Sequence, residues 1–122
     1  MMIAVFDTNI IIDALNGFAQ ASAEYGRYEL VFISRITWME VLVGAKDDEA
    51  EIRDFLDSYF EIIPLDQAVA ETAVQLRRDY RMRLPDAIIW ASAKSKEAIL
   101  VTRNTKDFKP EWEGIYLPYE LS

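Results

Sequence analysis

Short apolar segments alternate along this chain with segments of helical periodicity, and this alternation constrains the fold more than any other feature. Strand-like segments lie at residues 3–6, 30–33, 61–63 and 98–102, with a weaker fifth at 114–117. Helical periods lie at residues 35–44, 52–59, 69–80 and 86–97. Parallel strands need a helix to return the chain, so the pattern predicts an α/β fold, a three-layer α/β/α sandwich with a central parallel sheet of about five strands.

The chain has the length and composition of one domain. It contains 122 residues, is 52% hydrophobic, and has only four glycines and four prolines, with no linker or repeat between its segments. We therefore expect residues 1–122 to form a single domain. No apolar run approaches the roughly 20 residues that cross a bilayer, so we expect a soluble, cytoplasmic protein without membrane contact.

Histidine and cysteine are both absent from the sequence. Their absence excludes disulfide scaffolds, thiol nucleophiles, thiolate or imidazole metal sites, and hydrolases that depend on a histidine base. Any chemistry must therefore use carboxylates, hydroxyls, amides, lysine and arginine.

Net charge also restricts the partners. The formal charge is −8, which argues against a protein that holds nucleic acid by bulk positive charge. The charge is uneven, because residues 1–66 carry 4 basic and 13 acidic side chains whereas residues 67–122 carry 9 and 8. A local phosphate-binding surface in the second half remains compatible with this balance.

Asp7 directly follows the first apolar segment, with Thr8 and Asn9 beside it. Ligands of parallel sheets bind beyond the carboxyl ends of the strands, which makes Asp7 a candidate site residue. The alternative is that Asp7 only caps the helix that opens near Ile10.

Glu40 interrupts an otherwise apolar helical segment. At 100° per residue it shares a sector with Ile36 and Val43, a stripe expected to face the core. A buried carboxylate must be paired, protonated or bound to a cation. A salt bridge to Arg35 or Arg77 is the structural alternative to a site role.

Asp86 opens the helix at 86–97, after Pro85. An acid in a first turn gains about 0.3–1 kcal/mol from the helix dipole, which is a sufficient structural explanation. However, Asp86 also shares a face with Ile89, Trp90 and Ala93, which should point inward. This placement favours a site residue.

A fourth polar segment, residues 102–108, follows the strand at 98–102 and offers Thr102, Asn104 and Asp107 at the same edge. If Asp7, Glu40 and Asp86 converge, each pair of charges at about 4 Å repels by roughly 4 kcal/mol at an effective dielectric of 20. A hard divalent cation, Mg²⁺ or Mn²⁺, would relieve that repulsion through oxygen ligands. Metal-assisted hydrolysis of a phosphodiester is therefore the leading reaction class.

Four motifs occur in order over residues 3–108: Asp7-Thr8-Asn9, the segment 34–44 around Glu40, Leu84-Pro85-Asp86-Ala87, and the segment 101–108. Together they resemble the PIN-domain nucleases, and among these most closely the VapC-type toxins of prokaryotic toxin–antitoxin pairs.

The resemblance implies a metal-dependent endoribonuclease that uses Mg²⁺ or Mn²⁺, forms a homodimer and is inhibited by a small antitoxin protein. It assigns metal binding to Asp7, Glu40 and Asp86. The fourth acidic position of the family falls on Asn104, with Asp107 as a replacement carboxylate, and Thr8 and Thr102 match hydroxyl positions expected to orient water or acidic side chains.

Basic side chains cluster before Asp86, and the sequence predicts RNA phosphate contacts for Arg77, Arg81 and Arg83, with Arg103 and Lys106 as further candidates. The alternative is a solvated helix face, and Arg78 belongs to the same run. In the apolar helix at 35–44, Trp38 and Leu42 are candidates for a dimer or antitoxin contact. Two other functions stay open, a phospho-receiver module that binds Mg²⁺ and a catalytically silent PIN-fold binding module.

Overall fold

A computed structural model of the chain describes residues 2–120. Within them, five strands span Ile3–Phe6 (β1), Leu30–Ser34 (β2), Glu61–Ile63 (β3), Ile99–Val101 (β4) and Ile115–Tyr116 (β5). Six helices span Thr8–Leu15 (α1), Ala19–Tyr25 (α2), Arg35–Val43 (α3), Glu49–Tyr59 (α4), Gln67–Tyr80 (α5) and Leu84–Ser95 (α6).

The strands form one sheet in the order β3-β2-β1-β4-β5, and every neighbouring pair is parallel. The predicted α/β/α architecture with a five-stranded parallel sheet is therefore confirmed. Phospho-receiver modules have the flavodoxin-like order 2-1-3-4-5. The receiver alternative is consequently wrong.

Side chains alternate across β1 and place a hydrophobic core on each face of the sheet. Val5 packs on one face with buried residues of α5 and α6, whereas Ala4 and Phe6 pack on the other face with residues of α1, α2 and α4. The side chains of Ala4, Val5 and Phe6 are at most 2% exposed. The two cores fix the central strand firmly, and with it the residue that follows.

The carboxyl ends of β1, β2 and β4 meet at one edge of the sheet. The backbone N–H of Asp7 donates to the Val101 carbonyl at 2.9 Å, which ties the ends of β1 and β4 together. Asp7 and Ser34 then cap the helices that begin after them, α1 and α3. This edge therefore presents the side chains of Asp7, Thr102 and the first turns of α1 and α3.

The predicted strands and helices occur within a few residues of their expected bounds. Helix α1 begins at Thr8 rather than near Ile10, and helix α2 (Ala19–Tyr25) was not predicted. None of the helices in the described chain combines the length and apolar character needed to cross a bilayer.

Candidate active site

Asp7 is the most buried acid at the carboxyl edge of the sheet, with 4% of its surface exposed. Its Oδ1 accepts a hydrogen bond from the Thr8 backbone N–H at 2.8 Å. Its Oδ2 accepts from the Thr102 hydroxyl at 2.7 Å and from Asn9 Nδ2 at 3.1 Å. The helix-capping role expected as an alternative is therefore real, and two further contacts, from Thr102 and Asn9, help to fix the carboxylate in one orientation.

Burial raises the pKa of Asp7 from 3.8 to about 6, against the lowering effect of the hydrogen bonds from Thr102 and Thr8. The negative charges of Asp86 and Glu40 raise this pKa further. Those two influences show that the three acids share one electrostatic environment, although they come from β1, α3 and α6.

Glu40 departs from the predicted placement, because its side chain is exposed at the rim of the edge and not buried in a core stripe. The buried positions of α3 are Thr37 and Val41, whereas Val43 is 85% exposed. The error arose because α3 is apolar on nearly all sides, so periodicity alone could not show which face packs. Glu40 Oε1 instead accepts a 2.6 Å hydrogen bond from the Thr8 hydroxyl.

Neither arginine proposed as a salt-bridge partner reaches Glu40. The Arg35 guanidinium lies 4.8 Å from the Trp38 ring centroid, and Arg77 Nη1 donates to the Met82 carbonyl at 2.6 Å. Among residues 2–120, Glu40 forms no salt bridge. Its charge is therefore available to a ligand at the sheet edge.

Asp86 lies in the first turn of α6 and is 5% exposed. Its Oδ2 accepts from Arg83 Nε at 3.2 Å, and Arg83 Nη2 lies 3.8 Å from Asp107 Oδ2. Burial raises the pKa of Asp86, Arg83 lowers it, and the nearby charges of Asp107 and Glu40 raise it, for a net upward shift. One guanidinium thus bridges two of the acids.

The segment after β4 folds into a turn that holds Asp107 in place. Asn104 Nδ2 donates to Asp107 Oδ2 at 2.8 Å, and the Asp107 backbone N–H donates to Asn104 Oδ1 at 3.2 Å. The Asn104 N–H in turn donates to the Thr102 hydroxyl at 3.0 Å. Asn104 therefore uses both polar atoms of its side chain to position Asp107.

Four acids, Asp7, Glu40, Asp86 and Asp107, thus influence one another, and Arg83 is the cation placed against two of them. In the described residues, no three acidic side chains already stand in an arrangement that could hold a metal ion. The donor set nevertheless fits a hard divalent ion, because it consists of carboxylate oxygens with an unbalanced negative charge.

The other predicted cations lie in different surroundings. Arg103 donates from Nε and Nη2 to the two carboxylate oxygens of buried Asp13, at 2.7 and 2.9 Å, and the Tyr119 hydroxyl donates to the same carboxylate at 2.7 Å. This placement favours a structural role for Arg103 over a phosphate contact. Lys106 is exposed on the turn that carries Asp107.

Two polar residues of the site were missed by the assignments made from sequence. Asn9 bridges Asp7 Oδ2 and the loop after β4, where its Oδ1 accepts from the Arg103 backbone N–H at 3.1 Å. Thr37 is fully buried, and its hydroxyl lies 3.1 Å from that of Thr8. Spacing gave a usable signal for Thr37, which precedes Glu40 by three residues and so shares its helix face.

Trp38, a candidate for contact with another molecule, is half-buried within its own chain. Its indole N–H donates to Asp57 of α4 at 3.1 Å, and the Arg53 guanidinium lies 5.0 Å from its ring centroid. The contact that covers Trp38 in this structure is therefore intramolecular.

The sequence of residues 4–109 matches the PIN domain family. The chain belongs to the PIN-domain family. The order of the motifs and the parallel sheet agree with this membership, and the PIN match includes all four acids of the sheet edge.

Solved structures extend the comparison. One chain of a toxin–antitoxin complex from Klebsiella pneumoniae is 46% identical, with a TM-score of 0.91 and coverage of 97% of this chain and 99% of that one. A chain of VapBC2 from Rickettsia felis, bound to a promoter DNA fragment, is 25% identical, with a TM-score of 0.70 and coverage of 88% and 92%. A chain of DNA-bound VapBC from Salmonella typhimurium is 24% identical, with a TM-score of 0.76 and coverage of 94% and 96%.

No match was found among curated protein sequences. The predicted resemblance to PIN domains of the VapC type is confirmed by the family match and by these structures.

Proposed function

We propose that this PIN domain is a metal-dependent endoribonuclease that acts in the cytoplasm as the toxin of a type II toxin–antitoxin pair. One observation carries the catalytic part of this proposal. Thr8 donates to both Asp7 and Glu40, and Asp86 acts on the same carboxylate: burial is the main cause of the raised pKa of Asp7, and the charges of Asp86 and Glu40 raise it further, although the three residues are far apart in the chain. Perturbed pKa values of this kind cluster at functional sites.

Asp7, Glu40 and Asp86 would hold Mg²⁺, with Mn²⁺ as an alternative ion. When bound, the ion would supply an acidified water molecule and would offset charge on the phosphodiester oxygens. The absence of histidine from the chain is consistent with this chemistry, because a divalent ion makes an imidazole base unnecessary.

The polar residues around the acids keep their carboxylates in fixed orientations. Thr102 and Asn9 fix Oδ2 of Asp7, and Thr8 fixes Oδ1 of Asp7 through its N–H and Oε1 of Glu40 through its hydroxyl. Orientation before binding reduces the entropy lost when the substrate and the ion are bound. Thr8 in particular connects the acid of β1 with the acid of α3.

Arg83 is placed to contact the substrate. Its side chain is 72% exposed while it touches Asp86 and Asp107, so it could exchange these carboxylates for an RNA phosphate once a bound metal ion balances the charge of buried Asp86. Lys106 lies on the adjacent turn and adds a second positive charge near the same edge.

A small antitoxin protein and a second copy of the chain are the proposed protein partners. The solved relatives from K. pneumoniae, R. felis and S. typhimurium are toxin–antitoxin complexes or VapBC assemblies. An apolar groove of about 250 Å³ supports an antitoxin contact; it lies between α1, α2 and α4 and is lined by residues that include Ile11, Leu15, Tyr25 and Phe55. Exposed Met39 and Val43 on α3 support a homodimer contact.

The direct test is cleavage of a structured RNA by the purified chain with Mg²⁺, with Mn²⁺ and with excess chelator. We expect cleavage with either ion, loss on chelation, and a loss of at least about 100-fold in Glu40→Gln and Asp86→Asn, because each change removes a carboxylate ligand. Asp79→Asn, on the exposed side of α5, is the matched control and should cleave normally. Equal cleavage by Asp86→Asn would contradict the proposal.

A catalytically silent binding module is the second candidate, suggested by the amide at position 104. The structure gives Asn104 a supporting task, since it positions the carboxylate of Asp107. RNA binding without cleavage under any metal condition would favour the silent module.

A further inference from the structure

A second, basic cleft lies beside the acidic edge of the sheet. Three arginines and two aliphatic residues form an open cleft of about 560 Å³ at the end of α5 and the start of α6, lined by Val74, Arg77, Arg78, Arg81 and Leu84. This concentration of positive charge is unusual in a chain whose formal charge is −8.

Two of the cleft arginines lack an acidic partner. Arg78 and Arg81 make no salt bridge to any residue between 2 and 120, and Arg77 donates to a backbone carbonyl. The nearest acid along the helix, Asp79, accepts a hydrogen bond from Gln75 instead. The cleft therefore presents its positive charge to solvent, where it can attract an anion.

Interaction with the helix dipole explains only part of this pattern. Cations in the last turn of a helix are stabilised by the dipole, which accounts for Arg77 and Arg78 in α5. It does not account for Arg81, which lies beyond the helix and has a left-handed backbone with φ of 56°. Glycine is favoured at this position of a helix end, so an arginine there retains strain that a simple structural role would not require.

The basic cleft lies close to the acidic edge along the chain. Arg83 is two residues beyond Arg81, which limits the separation of their Cα atoms to about 7 Å. Arg83 in turn contacts Asp86 and Asp107. An extended polyanion held at the acids through a bound cation could therefore run past Arg83 to the cleft.

We propose that this cleft binds the phosphate backbone of single-stranded RNA next to the cleavage site, with Arg78 and Arg81 each contacting a phosphate. The proposal rests on the proposed function for the choice of RNA as the polyanion. Val74 and Leu84, 44% and 47% exposed, border the arginines and offer apolar contact to the bases. The contacts are to the backbone and therefore independent of base sequence.

The test is the salt dependence of binding to a fluorescein-labelled 20-nucleotide single-stranded RNA of mixed sequence, followed by anisotropy in excess chelator so that no cleavage occurs. Arg78→Gln and Arg81→Gly should each make the slope of log K against log salt shallower by about 0.7, and the double variant by about 1.4. At 0.1 M salt each single change should weaken binding about fivefold. Arg53→Gln on α4 is the matched control and should leave the slope unchanged.

Arg81→Gly separates a binding role from damage to the fold. Glycine relieves the left-handed strain, so this variant should melt about 2–5 °C higher than the parent while it binds RNA more weakly. An unchanged slope in the double variant, or no measurable binding by the parent chain at the lowest salt, would overturn the proposal. A loss of polyglutamate binding in the double variant, with no change in its RNA slope, would also overturn the proposal. That outcome would assign the cleft to an acidic protein.

These measurements, together with the cleavage assay, distinguish this proposal from the proposed function. A shallower slope in a chain that never cleaves RNA would support the cleft and contradict the nuclease. Cleavage that depends on Asp86, together with unchanged slopes, would support the nuclease and overturn the cleft.

Discussion

The Thr102 hydroxyl, at the end of β4, donates a 2.7 Å hydrogen bond to Oδ2 of Asp7, at the end of β1. Both residues are almost fully buried, with exposures of 1% and 4%. The bond lowers the pKa of Asp7, and it is the largest influence that opposes burial. The pairing of β1 with β4 therefore influences the ionisation of Asp7 as well as its position.

Thr102→Val tests this bond, because it replaces the hydroxyl by a methyl group of similar size. We expect a loss of about 1–3 kcal/mol in the free energy of unfolding at pH 7, where Asp7 is ionised and loses a donor. The loss should be smaller at pH 4, where Asp7 is protonated. Urea unfolding at both pH values measures the difference, and Thr105→Val, at an exposed position of the same loop, is the control. Equal losses at the two pH values would show that packing alone is responsible.

The raised pKa of Asp7 predicts how its ionisation affects stability. Between pH 3.8 and about 6 the folded state binds more protons than the unfolded state, so stability falls as pH rises through this window. The Asp7 contribution amounts to about 3 kcal/mol between the two limits. Asp7→Asn should remove this dependence and should be more stable than the parent at pH 7. Urea titrations at several pH values measure it, and a parallel pH dependence in parent and variant would contradict the assignment.

Metal binding should stabilise the folded chain by mass action. We expect the melting temperature to rise with Mn²⁺ in the millimolar range, since an ion at 100 times its dissociation constant adds about 2.7 kcal/mol. Asp86→Asn should abolish most of the rise, because the variant loses a ligand and a charge. Asp79→Asn should retain it. A rise of equal size in all three proteins would indicate metal binding at another site.

The pairing of Arg103 with Asp13 predicts a structural contribution well above that of a surface ion pair. Asp13 is 3% exposed, and Asp13→Ala leaves Arg103 and Tyr119 without their shared acceptor. We expect a loss of about 2–4 kcal/mol in the free energy of unfolding, discounted for the partial exposure of Arg103. Glu49→Ala, which breaks the exposed pair with Arg53, should cost at most about 0.5 kcal/mol. Similar losses in both variants would refute the distinction.

The sequence was sufficient to predict the sheet and the edge at which the acids lie, because apolar segments such as residues 3–6 have a clear pattern and chain direction determines where Asp7 follows. It was not sufficient to place Glu40. Helix α3 is apolar around its circumference, so only tertiary packing selects Thr37 and Val41 as its buried face. Helix α2 was missed because its short segment, Ala19–Tyr25, has weak periodicity and only two buried residues.

The partners of the charged side chains could not be predicted from the sequence pattern either. Arg103 could be recognised as a cation, but its pairing with Asp13 joins residues 90 positions apart and follows from the packing of the loop after β4 against α1. Sequence spacing reports which residues share a helix face, and it carries no information about contacts between elements. For the same reason the bridging of Asp86 and Asp107 by Arg83 emerged only from the structure.

The desolvated carboxylate of Asp7 has a consequence for attempts to improve this protein. At neutral pH the native state keeps an ionised group where a neutral one would be better tolerated, so a screen for heat resistance would enrich replacements at position 7. Under the proposed function, such replacements would remove a metal ligand. Engineering for robustness should therefore leave this pocket untouched and select its substitutions elsewhere on the molecule.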